Sequence, residues 1–312
     1  MRYFRNFVVS SIGIFLMIFC AAVKCNATDF VIVDVSRQIY SYDSLCEDMA
    51  LLAAGHEDII SYESLATTLQ GRNVWLVKYG NLQADKRILI TASIHAREYM
   101  TSQLVMRMLE EYVLNVDTPQ VDGHTYRQLF SDTCLYIMPM VNPDGVTMCQ
   151  FQPGMHQLKA NANGVDLNRN FPVGFGHGGT ASSPGLFYYP GTAPLTEAET
   201  QALSGLINTY PFMACINYHS MGNVNYYGAS TNSAENAKRC KALANVVSSV
   251  NGYRTKYCGD ACGSFADYFY EVTDCPSVTI EIGTANPVPI SQFTGIYNKN
   301  VGLWKVLAAL FL

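Results

Sequence analysis

The sequence predicts a three-layer α/β/α single domain built on a mixed, largely parallel central sheet. Three observations lead there. Short, apolar, β-branched runs of strand length recur along the chain, and amphipathic stretches of helix length separate them. No internal repeat, low-complexity tract or linker rich in Pro or Ser divides the chain, so the alternation belongs to one α/β unit. A chain of 312 residues is long for one domain but suits a single large core. With 49% hydrophobic and 14% charged residues, its composition is that of a compact globular protein.

Taken in order, "DFVIVDVSRQIYSYDSLCEDMALLAAG" reads as a short strand followed by a helix. Buried strands are expected in "NVWLVKYG", "KRILITASIHA", "TCLYIMPMVNPDG", "PFMACINYHS" and "CPSVTIEIG". Helices are expected in "EYMTSQLVMRMLEEYVLN", "TEAETQALSGLINTY" and "SAENAKRCKALANVVSSV", with an amphipathic helix, "NKNVGLWKVLAALFL", at the end. "VNPDGV" reads as a turn, with Pro143 and Gly145 in turn positions.

The N-terminus begins "MRYFRN" and runs into the apolar block "FVVSSIGIFLMIFCAAV", with small residues at Ala21, Ala22 and Ala27. This is the pattern of a secretory signal peptide over 1–27, leaving one domain over 28–312. An uncleaved anchor is the alternative, since the block sits at the low edge of spanning length. No later segment is expected to enter a membrane. Ten cysteines fit export to an oxidising place, extracellular or periplasmic. Cys258 and Cys262 in "YCGDACG" are the pair expected to bridge. A net charge of −5 argues against nucleic acid or an anionic membrane surface as partner. The chain is expected to be a monomer.

Open α/β sheets gather ligands beyond the C-terminal ends of their strands. His95, Asp144, His219 and Glu281 all stand at or near the ends of apolar runs. His95 and Glu98 form an H-x-x-E pair, and His219 in "INYHSMG" supplies a third donor. Two imidazoles and one carboxylate are a ligand set for one catalytic Zn2+ per chain, with a fourth position left for water. Glu281 in "SVTIEIG" is a carboxylate ending an apolar strand, costly to bury unless paired or functional. Beside the metal it can serve as general base. "NANGVDLNRNFP" sets Asn168 and Arg169 together, side chains suited to holding a substrate's free carboxylate.

In this order "HARE", "NPDG", "KANANGVDLNRNF", "YHS" and "TIEIG" resemble the zinc carboxypeptidase family of A and B type. The resemblance runs from about Tyr40 to the C-terminus. "LKANANGVDLNRNFP", "YYPGTAPLTEAETQAL" and "PSVTIEIGTANPVPISQF" are similar to the bacterial branch of γ-D-glutamyl-diamino acid peptidases, which cleave peptidoglycan stem peptides. The resemblance implies that His95, Glu98 and His219 bind the zinc and that Glu281 activates the water. It implies that Asp144 orients His95, and that Arg97, Asn168 and Arg169 bind substrate. Lys159 falls where digestive members carry the Arg that polarises the scissile carbonyl. A mobile Tyr is assigned to Tyr257, although a gapless alignment puts Gly259 there. The same alignment sets Ala266 on the floor of the specificity pocket, which offers neither countercharge nor bulky wall. The short stretch before "YSYDSL" leaves no room for a folded inhibitory propeptide.

The expected activity is hydrolysis of a peptide bond next to a free carboxylate in peptidoglycan stem peptides, at the γ-D-Glu–diamino acid bond. Three alternatives stand beside it: a scavenging carboxypeptidase for ordinary L-peptides, a deacylase of small acylated amino acids, and a non-catalytic cell-wall binding module. The "VDLNRNF" clamp fits the deacylase less well, and the complete ligand set with Glu281 fits the binding module less well.

Overall fold

The computed structural model describes residues 31–120, 123–177 and 179–310, so the expected signal peptide over 1–27 lies outside the described residues. Among the described residues, eight strands form one sheet: β1 Ile60–Thr67, β2 Asn73–Gly80, β3 Lys86–Ala92, β4 Thr133–Met138, β5 Ala214–Ser220, β6 Val224–Tyr227, β7 Arg254–Tyr257 and β8 Ser277–Ile282. The helices are α1 Tyr42–Ala53, α2 Met100–Leu114, α3 Tyr126–Leu129, α4 Pro143–Phe151, α5 Ala198–Thr209, α6 Ala234–Asn251, α7 Phe265–Thr273, α8 Phe293–Asn300 and α9 Leu303–Leu310. The strand order is β1-β2-β4-β3-β5-β8-β6-β7. The central run β4-β3-β5-β8 is parallel, and the antiparallel joins lie toward the edges at β1-β2, β2-β4 and β8-β6.

Alternation along the buried strands splits the interior in two. Ile88 and Ile90 of β3 face one core with α1, α2, α6 and α9, whereas Leu89 faces the other with α5 and α7. This is the three-layer arrangement that the strand–helix alternation predicts. Among the described residues, no helix is long and apolar enough to cross a membrane.

Two local expectations fail for clear reasons. The residues around "VIVDV" form no strand. The backbone N–H groups of Ile32 and Val33 donate instead to the buried Glu110 carboxylate at 2.8 and 3.1 Å, so a side chain satisfies what a neighbouring strand would. "NPDG" is a helix start rather than a free turn. Asn142 caps α4 by accepting from Gly145 N at 2.9 Å, and Pro143 occupies the first turn, where a missing N–H costs nothing. Gly145 is required by close approach, because a Cβ there would stand 2.5 Å from the Ala160 carbonyl oxygen. The unexpected strands are peripheral: β1 is mostly solvent-facing, and β6 and β7 span four residues each.

The expected Cys258–Cys262 bridge is absent, and all eight cysteines among the described residues are free thiols. Each partner is held by separate backbone contacts. Cys258 N donates to Tyr227 O at the end of β6, and Cys262 N donates to the Asp267 carboxylate in α7.

One buried carboxyl makes stability depend on pH. Burial pushes Glu199 of α5 up to about 7, with the like charges of Glu197 and Asp144 adding to it. The folded state therefore keeps a proton that the unfolded chain has lost between about 4.5 and 7, and stability falls as pH rises through that window. Glu199→Gln is expected to flatten the slope and to gain on the order of 3 kcal/mol on the parent above pH 7. Urea unfolding at pH 5 and pH 8 checks it, and equal slopes in both proteins would refute it.

Candidate metal centre and substrate cleft

The site lies where β3 has β4 on one side and β5 on the other, the crevice in which open α/β sheets bind ligands. The chain leaves β3 through Ser93 at a positive φ of 50°. Thr101 holds this bend, its hydroxyl accepting from Ser93 N at 2.9 Å and donating to the Glu98 carbonyl at 2.8 Å. Asn142 Nδ2 donates to the Ile94 carbonyl at 3.2 Å, fixing the residue before His95. His219 and Glu281 sit directly opposite each other in the parallel register of β5 and β8. Sheet pairing thus brings together residues remote in the chain.

His95, Glu98 and His219 converge in a pocket where each is at most 5% exposed. The Nδ1 atoms of His95 and His219 stand 2.9 and 3.0 Å from the two Glu98 carboxylate oxygens, and 3.2 Å from each other. Ser220 N donates to Glu98 Oε2 at 3.1 Å and fixes the carboxylate. Burial alone would raise the Glu98 carboxyl, but the charge on His95 and hydrogen bonds from both imidazoles hold it well below the usual range. Two ring nitrogens aimed at one carboxylate and almost at each other suit a shared cation. Tetrahedral bonds of roughly 2.0–2.1 Å give donor separations of about 3.3 Å, close to those seen here. The group fits one zinc.

Asp144 does not orient His95. Its carboxylate accepts from Gln70 N and Arg72 Nη1, both at 2.8 Å, and so ties the β1–β2 turn to α4. Asp166 takes the role instead, with Oδ1 3.2 Å from His95 Nε2, an ion-pair distance without hydrogen-bond alignment. A metal on Nδ1 leaves the His95 proton on Nε2, facing this carboxylate. The charges of His95, Lys159 and Arg169 overcome burial to hold Asp166 ionised. The signal was present in "VDLNRN", where an Asp sits beside the Asn–Arg pair, but the sequence does not say which Asp reaches back to His95.

A cleft of about 250 Å³ opens beside the ligands, with Lys159, Asn168, Arg169 and Glu281 on its wall. Asn168 Oδ1 accepts from Phe265 N at 2.9 Å, which leaves the amide nitrogen for a ligand. Arg169 Nη1 donates to the Asn168 carbonyl at 2.7 Å, and its buried Nε has no protein partner. Arg97 stands beside the cleft, its guanidinium held by Gln157 at 3.0 Å. Burial pushes Glu281 up to about 7, the Glu98 charge adding to this while His219, Lys159 and Arg97 oppose it. Ala266 lines the cleft with Thr91, Tyr226, Ser264 and Thr279. Tyr257 is not brought in. It is 44% exposed and packs edge-on against Tyr227, 5.9 Å between ring centres, because β7 pairs with β6 away from the metal group. Tyr226, which the sequence did not single out, is the tyrosine on the cleft wall.

A buried His-Glu-His group with an adjacent carboxylate at the crevice of an α/β sheet defines a metal-dependent hydrolase of peptide-like bonds. The chain belongs to the zinc carboxypeptidase family, whose model matches residues 45–301. It is a zinc metallopeptidase. It is 29% identical over 300 residues to γ-D-glutamyl-L-diamino acid endopeptidase 1 of Lysinibacillus sphaericus, across 88% of this chain and 73% of that protein. Among solved structures, thrombin-activatable fibrinolysis inhibitor superposes with a TM-score of 0.77 at 18% identity, covering 91% of this chain and 78% of that one. The murein-tripeptide amidase MpaA of Escherichia coli O157 superposes at 0.56 with 21% identity, covering 79% and 92%.

The two aspartates make opposite predictions. Asp166→Asn is expected to weaken zinc binding about 10- to 100-fold with little change in folding. Asp144→Asn is expected to leave zinc affinity unchanged and to cost on the order of 2 kcal/mol, because Arg72 loses its buried partner. Zinc competition titrations and urea unfolding on both variants check this, and the reverse pattern would restore Asp144 as the orienting residue.

Proposed function

We propose that the protein is a secreted metallopeptidase that hydrolyses the bond between γ-D-glutamate and the diamino acid of peptidoglycan stem peptides. The observation that carries this reading is the cleft. Arg169 gives it a cation for a free carboxylate and Lys159 one for the scissile carbonyl, whereas Thr91, Tyr226, Ser264 and Thr279 are neutral polar groups around Ala266. A diamino acid ends in an ammonium and a carboxylate, and hydroxyls can both donate to one and accept from the other. The γ-D-glutamyl-L-diamino acid endopeptidase at 29% identity supports the same substrate class. Export rests on the basic start and apolar block of the N-terminus.

In this reading Asn168 and Arg169 hold the substrate's free carboxylate, with Arg97 beside them. His95, Glu98 and His219 would hold a zinc, which would supply Lewis acidity and let a water lose a proton near neutral pH. Glu281 accepts that proton and returns it to the leaving nitrogen. Lys159 stabilises the carbonyl oxygen as it gains negative charge.

Glu281 must be ionised to act as a base, so kcat/KM falls on the acid side. Burial and the Glu98 charge, opposed by His219, Lys159 and Arg97, set that limb near 7, and a bound metal's positive charge would move it lower. Activity is expected to drop about tenfold per pH unit below the limb, and Glu281→Gln is expected to retain zinc but lose at least about a thousandfold in kcat. A flat profile from pH 5 to 8, or a variant with more than a tenth of parental turnover, would remove Glu281 from this role.

Mass spectrometry of products, with and without chelator, tests the substrate. L-Ala-γ-D-Glu-meso-diaminopimelate and a mixture of L-peptides with free C-termini are offered side by side. Chelator-sensitive release of the diamino acid from the first alone is the expected result. Trimming of the L-peptides alone would make the protein a scavenging carboxypeptidase, and silence on both with zinc bound would make it a binding module.

A further inference from the structure

The cleft's cations are held in an unusual way. Among the described residues, no carboxylate forms an ion pair with Lys159, Arg169 or Arg97. Two successive aromatic rings lie under them instead. The Lys159 ammonium is 5.3 Å and the Arg169 guanidinium 5.7 Å from the centre of the Tyr188 ring, and Arg97 lies 5.3 Å from that of Phe187.

Tyr188 is placed there at a cost. Its φ is +61°, a left-handed conformation that bulky residues rarely adopt. The residue is 42% exposed, so core burial does not explain the choice of side chain. The backbone on either side is pinned to the two segments that carry the cations. The Leu186 carbonyl accepts from Lys159 N at 3.0 Å, and the Tyr189 carbonyl accepts from Asp166 N at 2.7 Å.

We propose that Tyr188 is a positioning residue, a shared platform that fixes Lys159 and Arg169 over the cleft without neutralising them. A carboxylate in its place would orient the cations but compete with the substrate's own carboxylate. A π face attracts both cations and leaves their charge and N–H donors for the ligand. The inference rests on the reading that Arg169 takes a free carboxylate and Lys159 the carbonyl oxygen that gains charge. It adds the residue that sets how tightly they do so.

The test uses the full chain loaded with zinc, the stem tripeptide in free-acid and C-terminally amidated forms, and three variants. Tyr188→Leu is expected to raise KM for the free acid about tenfold through Arg169, to lower kcat several-fold through Lys159, and to narrow the preference for acid over amide. Tyr188→Phe retains the π face and is expected to behave as the parent. Tyr188→Gly relieves the backbone, so it is expected to match or exceed the parent's Tm while losing KM as the Leu variant does. That combination, stability kept and affinity lost, is one that a merely structural residue does not produce. An unchanged KM in Tyr188→Leu, or a Phe variant as impaired as the Leu variant, overturns the platform while the carboxylate reading stands. A parent that cleaves acid and amide equally well overturns the carboxylate reading itself, and the platform with it.

Discussion

The structure depends first on one buried charge. Glu98 is almost wholly removed from water, and an isolated carboxylate there would cost several kcal/mol. Two imidazoles and the Ser220 backbone N–H surround it, and a cation shared by Glu98 and the two histidines would complete the compensation. His219 and Ser220 both end β5, whereas His95 and Glu98 lie just after β3, so keeping Glu98 ionised requires the end of β5 and the turn after β3 to meet within hydrogen-bond distance. The centre is therefore a constraint on the fold as much as a site within it.

That constraint explains the dense polar scaffolding around it. The bend at Ser93, its grip by Thr101, and the reach of Asn142 to Ile94 all serve to deliver His95 at one angle. A second set of backbone bonds runs outward. Ala96 and Arg97 donate to the carbonyls of Lys159 and Leu158, and Lys159 in turn donates to Leu186. The metal ligands, the cleft cations and the aromatic pair Phe187–Tyr188 are thus laced into one unit. Asp144 supports the unit from outside by tying Arg72 and Gln70 to α4. It braces the helix that starts beside the site and leaves His95 to Asp166.

The electrostatics of the cleft follow from what is paired and what is not. Glu98 and Asp166 are ionised because positive groups face them, whereas Glu281 has burial and a like charge against it and stays close to neutrality in pH. Carboxylates within one small volume are thereby sorted into those that hold a cation and one poised to move a proton. The free thiols of Cys258 and Cys262 line the same cleft. The loop that shapes its far wall is held by backbone bonds to Tyr227 and Asp267 rather than by a covalent bridge.

Motif spacing marked Glu98, Asn168 and Arg169, and the family resemblance alone marked Lys159, whereas composition and periodicity were enough to read the layered architecture, the strands β2, β3, β4, β5 and β8, the long helices, and His95, His219 and Glu281. These are legible because buried strands need continuous apolar runs, and because a polar residue ending such a run is conspicuous. What could not be read from the chain were relations across it. Choosing between Asp144 and Asp166, excluding Tyr257 in favour of Tyr226, and finding Tyr188 under two cations each depend on distances between segments far apart in sequence. Local pattern carries no information about those distances. β-sheet register and loop packing set them, and a shift of a single residue in register would turn Glu281 away from His219.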